Sequence, residues 1–157
     1  MFFFFFDEKM TALTLANYIL TRAQEKGEDV TNLKLQKILY YVQGYFLAKF
    51  DRPLFPDDIQ AWNFGPVVPN VYYHFSKFGP EILCPAEKED LEGCNLSQDE
   101  RELIDRVINQ KLQCSASALV KATHNEEPWL QATQRGEKIR RNTIIDIEVM
   151  KNYFKKQ

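Results

Sequence analysis

The stretch His124-Asn125-Glu126-Glu127 carries residue types that bind metals or move protons. A zinc protease needs two histidines in an H-E-x-x-H pattern, and the zinc deaminases need H-x-E followed by P-C-x-x-C. Neither complete pattern occurs, and the second histidine, His74, lies among aromatic residues. The sequence therefore predicts no metal and no cofactor. We expect a structural role for His124, with its ring bonded to backbone.

The nucleophilic side chains have no catalytic setting either. Ser115 and Ser117 lack a G-x-S-x-G context, and Cys114 has no neighbour that would lower its pKa. The three cysteines are odd in number and lack C-x-x-C spacing, so neither a disulfide framework nor a zinc site is indicated. The adjacent carboxylate pairs point in different directions from the backbone. These observations predict a protein that is not an enzyme.

Composition limits the remaining classes. The chain has 157 residues, with 20 Lys plus Arg and 22 Asp plus Glu, for a net charge of −2. Such a length suits one domain with a sizeable core, and the apolar content excludes a mainly disordered chain. A binder of nucleic acid that works by charge alone would need a basic surface, and the net charge of −2 argues against this class. No apolar stretch is long enough to span a membrane. The three cysteines are typical of free thiols in a reducing cytosol, so we expect a cytoplasmic protein.

The N-terminus carries five consecutive phenylalanines, Phe2 to Phe6, followed by charged residues. A secretory signal has a basic start, a longer apolar stretch and a small-residue cleavage site, and this segment has none of them. We expect residues 1–9 to be an appendage, disordered or non-native, and residues 10–157 to be the domain. The run is interpreted either as a remnant of an upstream start or as a functional apolar hook.

Periodicity predicts a mainly α fold of the α+β class. We expect a compact single-domain helical bundle around a central buried helix, with a short two-stranded β element. Helices are predicted over 11–24, 32–49, from Pro66 or Pro69 to 78, over 97–111, from Ser115 or Ser117 to 123, and from 144 onward, with a short turn at Pro128. The strands are predicted at 59–62 and 138–142, paired with each other. Thr31 and Ser97 are expected N-caps, Ser97 with Glu100 forming a capping box, and either Ser115 or Ser117 caps the fifth helix.

Helix 32–49 is apolar over more than half of its circumference, which is typical of a central buried helix. Gln36 and Gln43 lie seven residues apart on one line of it and should be buried. Buried amides need hydrogen-bond partners, and we expect these in the irregular backbone of 61–69. Gly44 should permit close approach of another helix.

The remaining side of this helix holds Lys34, Lys37, Tyr41, Tyr45 and Lys49. Lysines usually mark a solvated face, but tyrosines alternating with them are typical of recognition surfaces. Both interpretations stay open, and the first four are the candidate contacts for a partner protein.

Two segments together resemble a known family. The first contains K-L-Q-K-I-L-Y-Y-V-Q-G at 34–44 and A-W-N-F-G-P-V-V-P at 61–69, and the second contains His124 with Pro128-Trp129. These strings resemble the Panacea domain, also called the SocA-like or GepA-type phage-associated domain, over about residues 11–155. The positions that match its motif, expected to be structural, are Gln36, Tyr40, Gln43, Gly44, Trp62, Gly65, Pro66, Pro69, Tyr72, His124, Pro128 and Trp129.

The resemblance implies an antitoxin of bacteria or their phages that binds and neutralises a toxin, usually one encoded next door. The expected partner is therefore a cognate toxin. An alternative within the family is an adaptor that delivers its toxin to a protease. A further alternative is a phage-encoded regulator that binds DNA through Lys138, Arg140, Arg141 and Lys151. Homo-oligomerisation stays open.

Overall fold

The structure is a computed structural model, and it describes residues 7–157. Its helices are α1 (Ala12–Lys26), α2 (Asn32–Phe50), α3 (Pro69–Phe75), α4 (Gln98–Leu112), α5 (Ala116–Thr123), α6 (Glu127–Ala132) and α7 (Ile147–Lys155), with a 3-10 turn at Ser76–Phe78. The strands β1 (Gln60–Trp62) and β2 (Gly65–Val67) form an antiparallel hairpin. The predicted fold class, mainly α with a small β element, is confirmed.

Helix α2 is the centre of the molecule. It packs against α1, α3, α4, α5, α7 and β2, and Leu35, Ile38 and Val42 are fully buried. Since the helix is surrounded by the other elements, it buries apolar side chains around most of its circumference. The prediction of a central buried helix is therefore confirmed, and its C-terminal end lies one residue beyond the predicted position.

Helix starts follow local capping chemistry. The Thr31 and Ser115 side chains accept from the backbone N–H groups of Lys34 and Ala118. Ser97 and Glu100 form a complete capping box at the start of α4. Each of these satisfies donors that the first helical turn leaves free. The predictions for Thr31 and Ser97 are confirmed, and of the two candidates for α5 it is Ser115, not Ser117, that forms the cap.

The predicted pairing of 59–62 with 138–142 is wrong. β1 pairs with β2, in the register Gln60↔Val67 and Trp62↔Gly65, across a turn at residues 63–64. Backbone pairing between β1 and the later part of the described chain is limited to an isolated bridge between Gln60 and Ile144, two residues beyond the predicted strand. Because residues 143–145 remain extended there, α7 begins at Ile147 with Asp146 as its N-cap, later than predicted.

Gly44 is the point at which α7 touches α2. A Cβ atom at this position would overlap the Phe154 ring, with Cε2 only 2.1 Å away. The predicted close approach of another helix is confirmed. The Phe154 ring also packs edge-on against Tyr40 and Tyr45.

The segment 81–96 contains neither helix nor strand, but it is attached to the body. Leu83, Leu91 and Cys94 are buried, and Ile82 forms a bridge with Thr31. At the other end of this segment, the Asp7 carboxylate accepts from the backbone N–H of Asn95. The Phe2 to Phe6 run lies outside the described residues. None of the described helices is both long and apolar enough to cross a membrane.

Candidate functional site

The hairpin is anchored to α2 by two buried side chains. Gln36 Oε1 accepts from the backbone N–H of Val68 at 2.9 Å, and its Nε2 donates to Asn32 Oδ1 at 2.8 Å. Lys37 Nζ donates to the carbonyl of Pro66 at 3.1 Å. The predicted bond of Gln36 to the 61–69 backbone is confirmed, whereas the contribution of Lys37 was not foreseen.

The Lys37 amine is the most strongly desolvated cation of the described chain. Burial lowers its pKa to about 7, because the charged form has no carboxylate beside it to offset the loss of water. Gly65 makes room for its stem, since a Cβ there would stand 2.8 Å from Lys37 Cε. The φ of +105° at Gly65 also favours glycine.

The opposite side of the hairpin is held by His124 and Trp129. His124 Nε2 donates to the carbonyl of Asn63 at 2.9 Å, and Trp129 Nε1 donates to the carbonyl of Trp62 at 2.8 Å. The two rings are in contact, with centroids 4.3 Å apart and planes inclined by 40°. The His124 ring is bonded to backbone, as expected, and Trp129 is buried.

Gln43 is buried as predicted, but its partners lie elsewhere. Its Oε1 accepts from the Leu54 N–H at 2.7 Å, and its Nε2 donates to the Phe55 carbonyl at 2.8 Å. The prediction of partners within 61–69 is therefore wrong for Gln43. Two turns of helix separate it from Gln36, so it faces the chain that leaves α2 rather than the hairpin.

A buried carboxylate joins two tyrosines of α2. Glu126 Oε1 and Oε2 accept from the hydroxyls of Tyr40 and Tyr41 at 2.9 and 2.7 Å. Burial raises the pKa of Glu126 and of both tyrosines. Lys111 Nζ lies 4.1 Å from the centroid of the Tyr41 ring and supplies nearby positive charge. Sequence reasoning missed this role of Glu126, since nothing in its local pattern indicates partners 85 residues away.

The predicted surface position of the α2 stripe, Lys34, Lys37, Tyr41, Tyr45 and Lys49, is wrong for its first three members, which are buried. Tyr45 is partly exposed beside Phe154, and Lys49 is exposed. The physical reason is that each buried polar tip reaches a fixed acceptor. Lys34 Nζ, for example, donates at 2.6 Å to the carbonyl of Leu112, at the C-terminal end of α4, where a cation is favourable.

An open cleft of about 900 Å³ lies between the start of α2, the hairpin, α3 and the segment before α7. We call it the aromatic cleft. Its lining includes Leu33, Trp62, Phe64, Tyr72, Ile139 and Arg141. Three of them expose large apolar side chains, namely Phe64 (66%), Ile139 (37%) and Leu33 (36%). Sequence reasoning missed the cleft as a site, because its walls come from five segments that are separated in the chain.

Trp62 is the centre of one wall. Its ring packs edge-on against Tyr72, with centroids 5.0 Å apart, and the Arg141 guanidinium lies 4.1 Å above it. The arrangement can bind apolar groups and an anion, but it holds no nucleophile paired with a base. Within residues 7–157, no group of three or more His, Cys, Asp or Glu side chains is placed to hold a metal ion.

Comparison with known proteins gives a consistent match. The family model described as "Antitoxin SocA-like, Panacea domain" matches residues 35–130. The chain is 39% identical over 131 residues to Antitoxin SocA of Caulobacter vibrioides (strain NA1000 / CB15N), covering 78% of this chain and 70% of that protein. No solved structure matches the chain significantly. The matched region contains the hairpin and its anchors from α2, α5 and α6.

Proposed function

The chain belongs to the family of SocA-like antitoxins with a Panacea domain, and we propose that it neutralises a cognate toxin by direct protein–protein binding. The observation that carries this proposal is the aromatic cleft. Exposed apolar groups gathered in one concave surface, bordered by charged groups, are typical of protein interaction sites.

Binding rather than catalysis is favoured by where the polar side chains lie. Glu126, Lys37 and His124 are the groups most suited to moving a proton, and each is held by partners inside the protein. A general acid or base must instead lie within hydrogen-bond reach of a substrate. We therefore assign these three residues to shaping the hairpin and its supports, and we propose a non-enzymatic mechanism.

The aromatic cleft replaces the α2 stripe as the proposed contact surface. Contact residues at protein interfaces must be accessible before the partner arrives, and aromatic side chains contribute strongly once buried there. Phe64 meets this condition, whereas Tyr41 does not. A toxin seated on the cleft would cover Phe64, Ile139 and Leu33 together. In this mechanism the chain inactivates the toxin by covering the part of the toxin surface that binds in the cleft.

Co-expression with the product of the neighbouring gene tests the proposal. We expect that product to arrest growth alone, growth to be restored when this chain is co-expressed, and the two to copurify. A neighbour that is harmless alone, or that does not copurify, would contradict direct neutralisation.

Toxin lifetime separates simple blockade from delivery to a protease. Under blockade, the toxin persists at least as long in the presence of this chain as in its absence. A shortened lifetime that depends on a host protease would instead support the adaptor function. The measurement is a chase of tagged toxin after translation is stopped.

A further inference from the structure

Arg141 is held in place without a charge partner. Its guanidinium lies over the Trp62 ring at 4.1 Å, while the residue is exposed. In the described part of the chain, no carboxylate forms an ion pair with it. An exposed arginine normally loses much side-chain freedom when it binds a ligand, and stacking on Trp62 has already removed part of that freedom.

A stacked guanidinium keeps its N–H edge available. Its planar donors match the two oxygens of a carboxylate, which an ammonium cannot do with the same geometry. The ring below shields one face from water, which strengthens an ion pair formed at the edge. Arg141 is thus arranged to receive a carboxylate at the wall of the aromatic cleft.

Apolar groups surround this position. Phe64 and Ile139 line the same cleft and are exposed, as is Leu33 at the start of α2. A group bound at Arg141 therefore brings its neighbours onto apolar surface. This combination favours a ligand that carries both an anionic group and apolar groups.

We propose that the aromatic cleft binds a polypeptide segment in which a carboxylate adjoins large apolar side chains, with the carboxylate received by Arg141. This inference rests on the proposed function, since the segment would belong to the toxin. Nucleic acid is the less suitable occupant. Binding to phosphates requires several cations, whereas the net charge is −2 and Lys138 and Arg140 do not line the cleft.

A peptide library tests the chemistry of the cleft without knowledge of the toxin. Phage-displayed random 12-residue peptides are selected on the full chain, and enriched peptides are measured by fluorescence anisotropy. We expect sequences with Asp or Glu beside Phe, Tyr, Trp or Leu. Arg141→Glu should weaken their binding roughly ten- to a hundredfold, which is the range expected for a charge-assisted hydrogen bond.

Matched variants make the test specific. Arg140→Glu changes the net charge equally but lies outside the lining, so binding should change less than about twofold. Arg141→Lys keeps the charge without the planar donors and should fall between the two. Circular dichroism confirms that each variant is folded.

Three results would overturn the proposal. These are selection of peptides without acidic residues, equal effects of Arg140→Glu and Arg141→Glu, and enrichment of no sequence at all. Preferential binding of labelled duplex DNA, lost in Arg141→Glu, would also overturn it. Because copurification with the toxin is measured separately, failure here leaves the proposed function standing with a different contact chemistry.

Discussion

At the scale of single residues, the unusual feature is a lysine enclosed in the core. Lys37 is fully buried, and its amine donates to the Pro66 carbonyl. The neutral amine can still make this hydrogen bond, so the hairpin keeps its anchor whichever protonation state is present. The cost lies in the free energy of unfolding, which must depend on pH.

The sign follows from the direction of the pKa shift. The pKa of Lys37 is lowered to about 7 in the folded protein, so between pH 7 and 9 the unfolded chain binds more protons. Stability should therefore rise with pH in this window, with a contribution approaching about 1.4 kcal/mol per pH unit. Above pH 9 the tyrosines oppose this trend, because burial raises the pKa values of Tyr40 and Tyr41 in the fold.

Lys37→Met tests this directly. The variant should lose the rise in the free energy of unfolding between pH 7 and 9, measured by urea denaturation at fixed ionic strength. Lys121→Met, which removes an exposed lysine, should keep it. An unchanged pH dependence in Lys37→Met would contradict the assignment of the titrating group.

Gln43 offers a second test at this scale. Gln43→Leu leaves the Leu54 N–H and the Phe55 carbonyl without their side-chain partner, and each such loss costs about 1–3 kcal/mol. We expect a lower free energy of unfolding by about 2–4 kcal/mol. Gln110→Leu, on the exposed side of α4, should change it by less than about 0.5 kcal/mol. Equal stability of the two variants would show that Gln43 only fills space.

At the scale of elements, the packing of α7 against α2 requires that position 44 has no side chain. Alanine is normally the better helix former by about 1 kcal/mol, so Gly44 must be explained by packing. The Phe154 ring occupies the volume that a Cβ would need. The position of α7, and with it the Tyr40 and Tyr45 contacts, is set by this one glycine.

Gly44→Ala should therefore lower stability by about 1–3 kcal/mol, as overpacked cores do, despite the gain in helix propensity. Thermal unfolding followed by circular dichroism measures the change. Gly93→Ala is the matched control, since its Cβ would meet Lys9 Cδ at 3.5 Å, an ordinary contact. In a double-mutant cycle, Gly44→Ala combined with Phe154→Ala should cost less than the sum of the single changes. Additive effects would mean that the two residues do not interact.

The elements also show what a sequence pattern can predict. Caps and the central helix were predictable, because a capping box and a 3.6-residue period depend on residues close in the chain. Burial of Lys34 and Lys37 was not, because their acceptors at Leu112 and Pro66 lie 78 and 29 residues away. The partner of β1 was mispredicted because β2 contains Gly65 and Pro66, which are usually read as a turn.

At the scale of the whole molecule, the candidate site was harder to predict than the fold. Five segments separated in sequence meet to form the aromatic cleft, so no single pattern contains it. Arg141 entered the sequence interpretation only as part of a basic patch, since the Trp62 ring beneath it is a tertiary contact. A substitution at an exposed residue of such a surface can abolish binding of the partner while the protein remains folded.

Phe64→Ser tests whether binding of the toxin can be lost while the fold is kept. Phe64 is 66% exposed, so the melting temperature should change little, while toxin binding should weaken more than about tenfold and growth rescue should fail. Ile144→Ser removes a comparably exposed apolar side chain outside the aromatic cleft and should leave rescue intact. If both variants rescue growth equally well, the toxin contacts another surface.

The anchoring of the hairpin has a consequence for how such proteins diversify. Lys37 bonds to the second strand at Pro66, and Gln36 bonds to Val68 directly after it. His124 and Trp129 bond to backbone carbonyls at the hairpin tip, so none of these four bonds uses the Phe64 side chain. Homologous proteins can therefore carry a different residue at the position of Phe64 and keep the same four anchoring hydrogen bonds. Binding to a different toxin could thus arise through substitutions at the exposed position, without a change of fold.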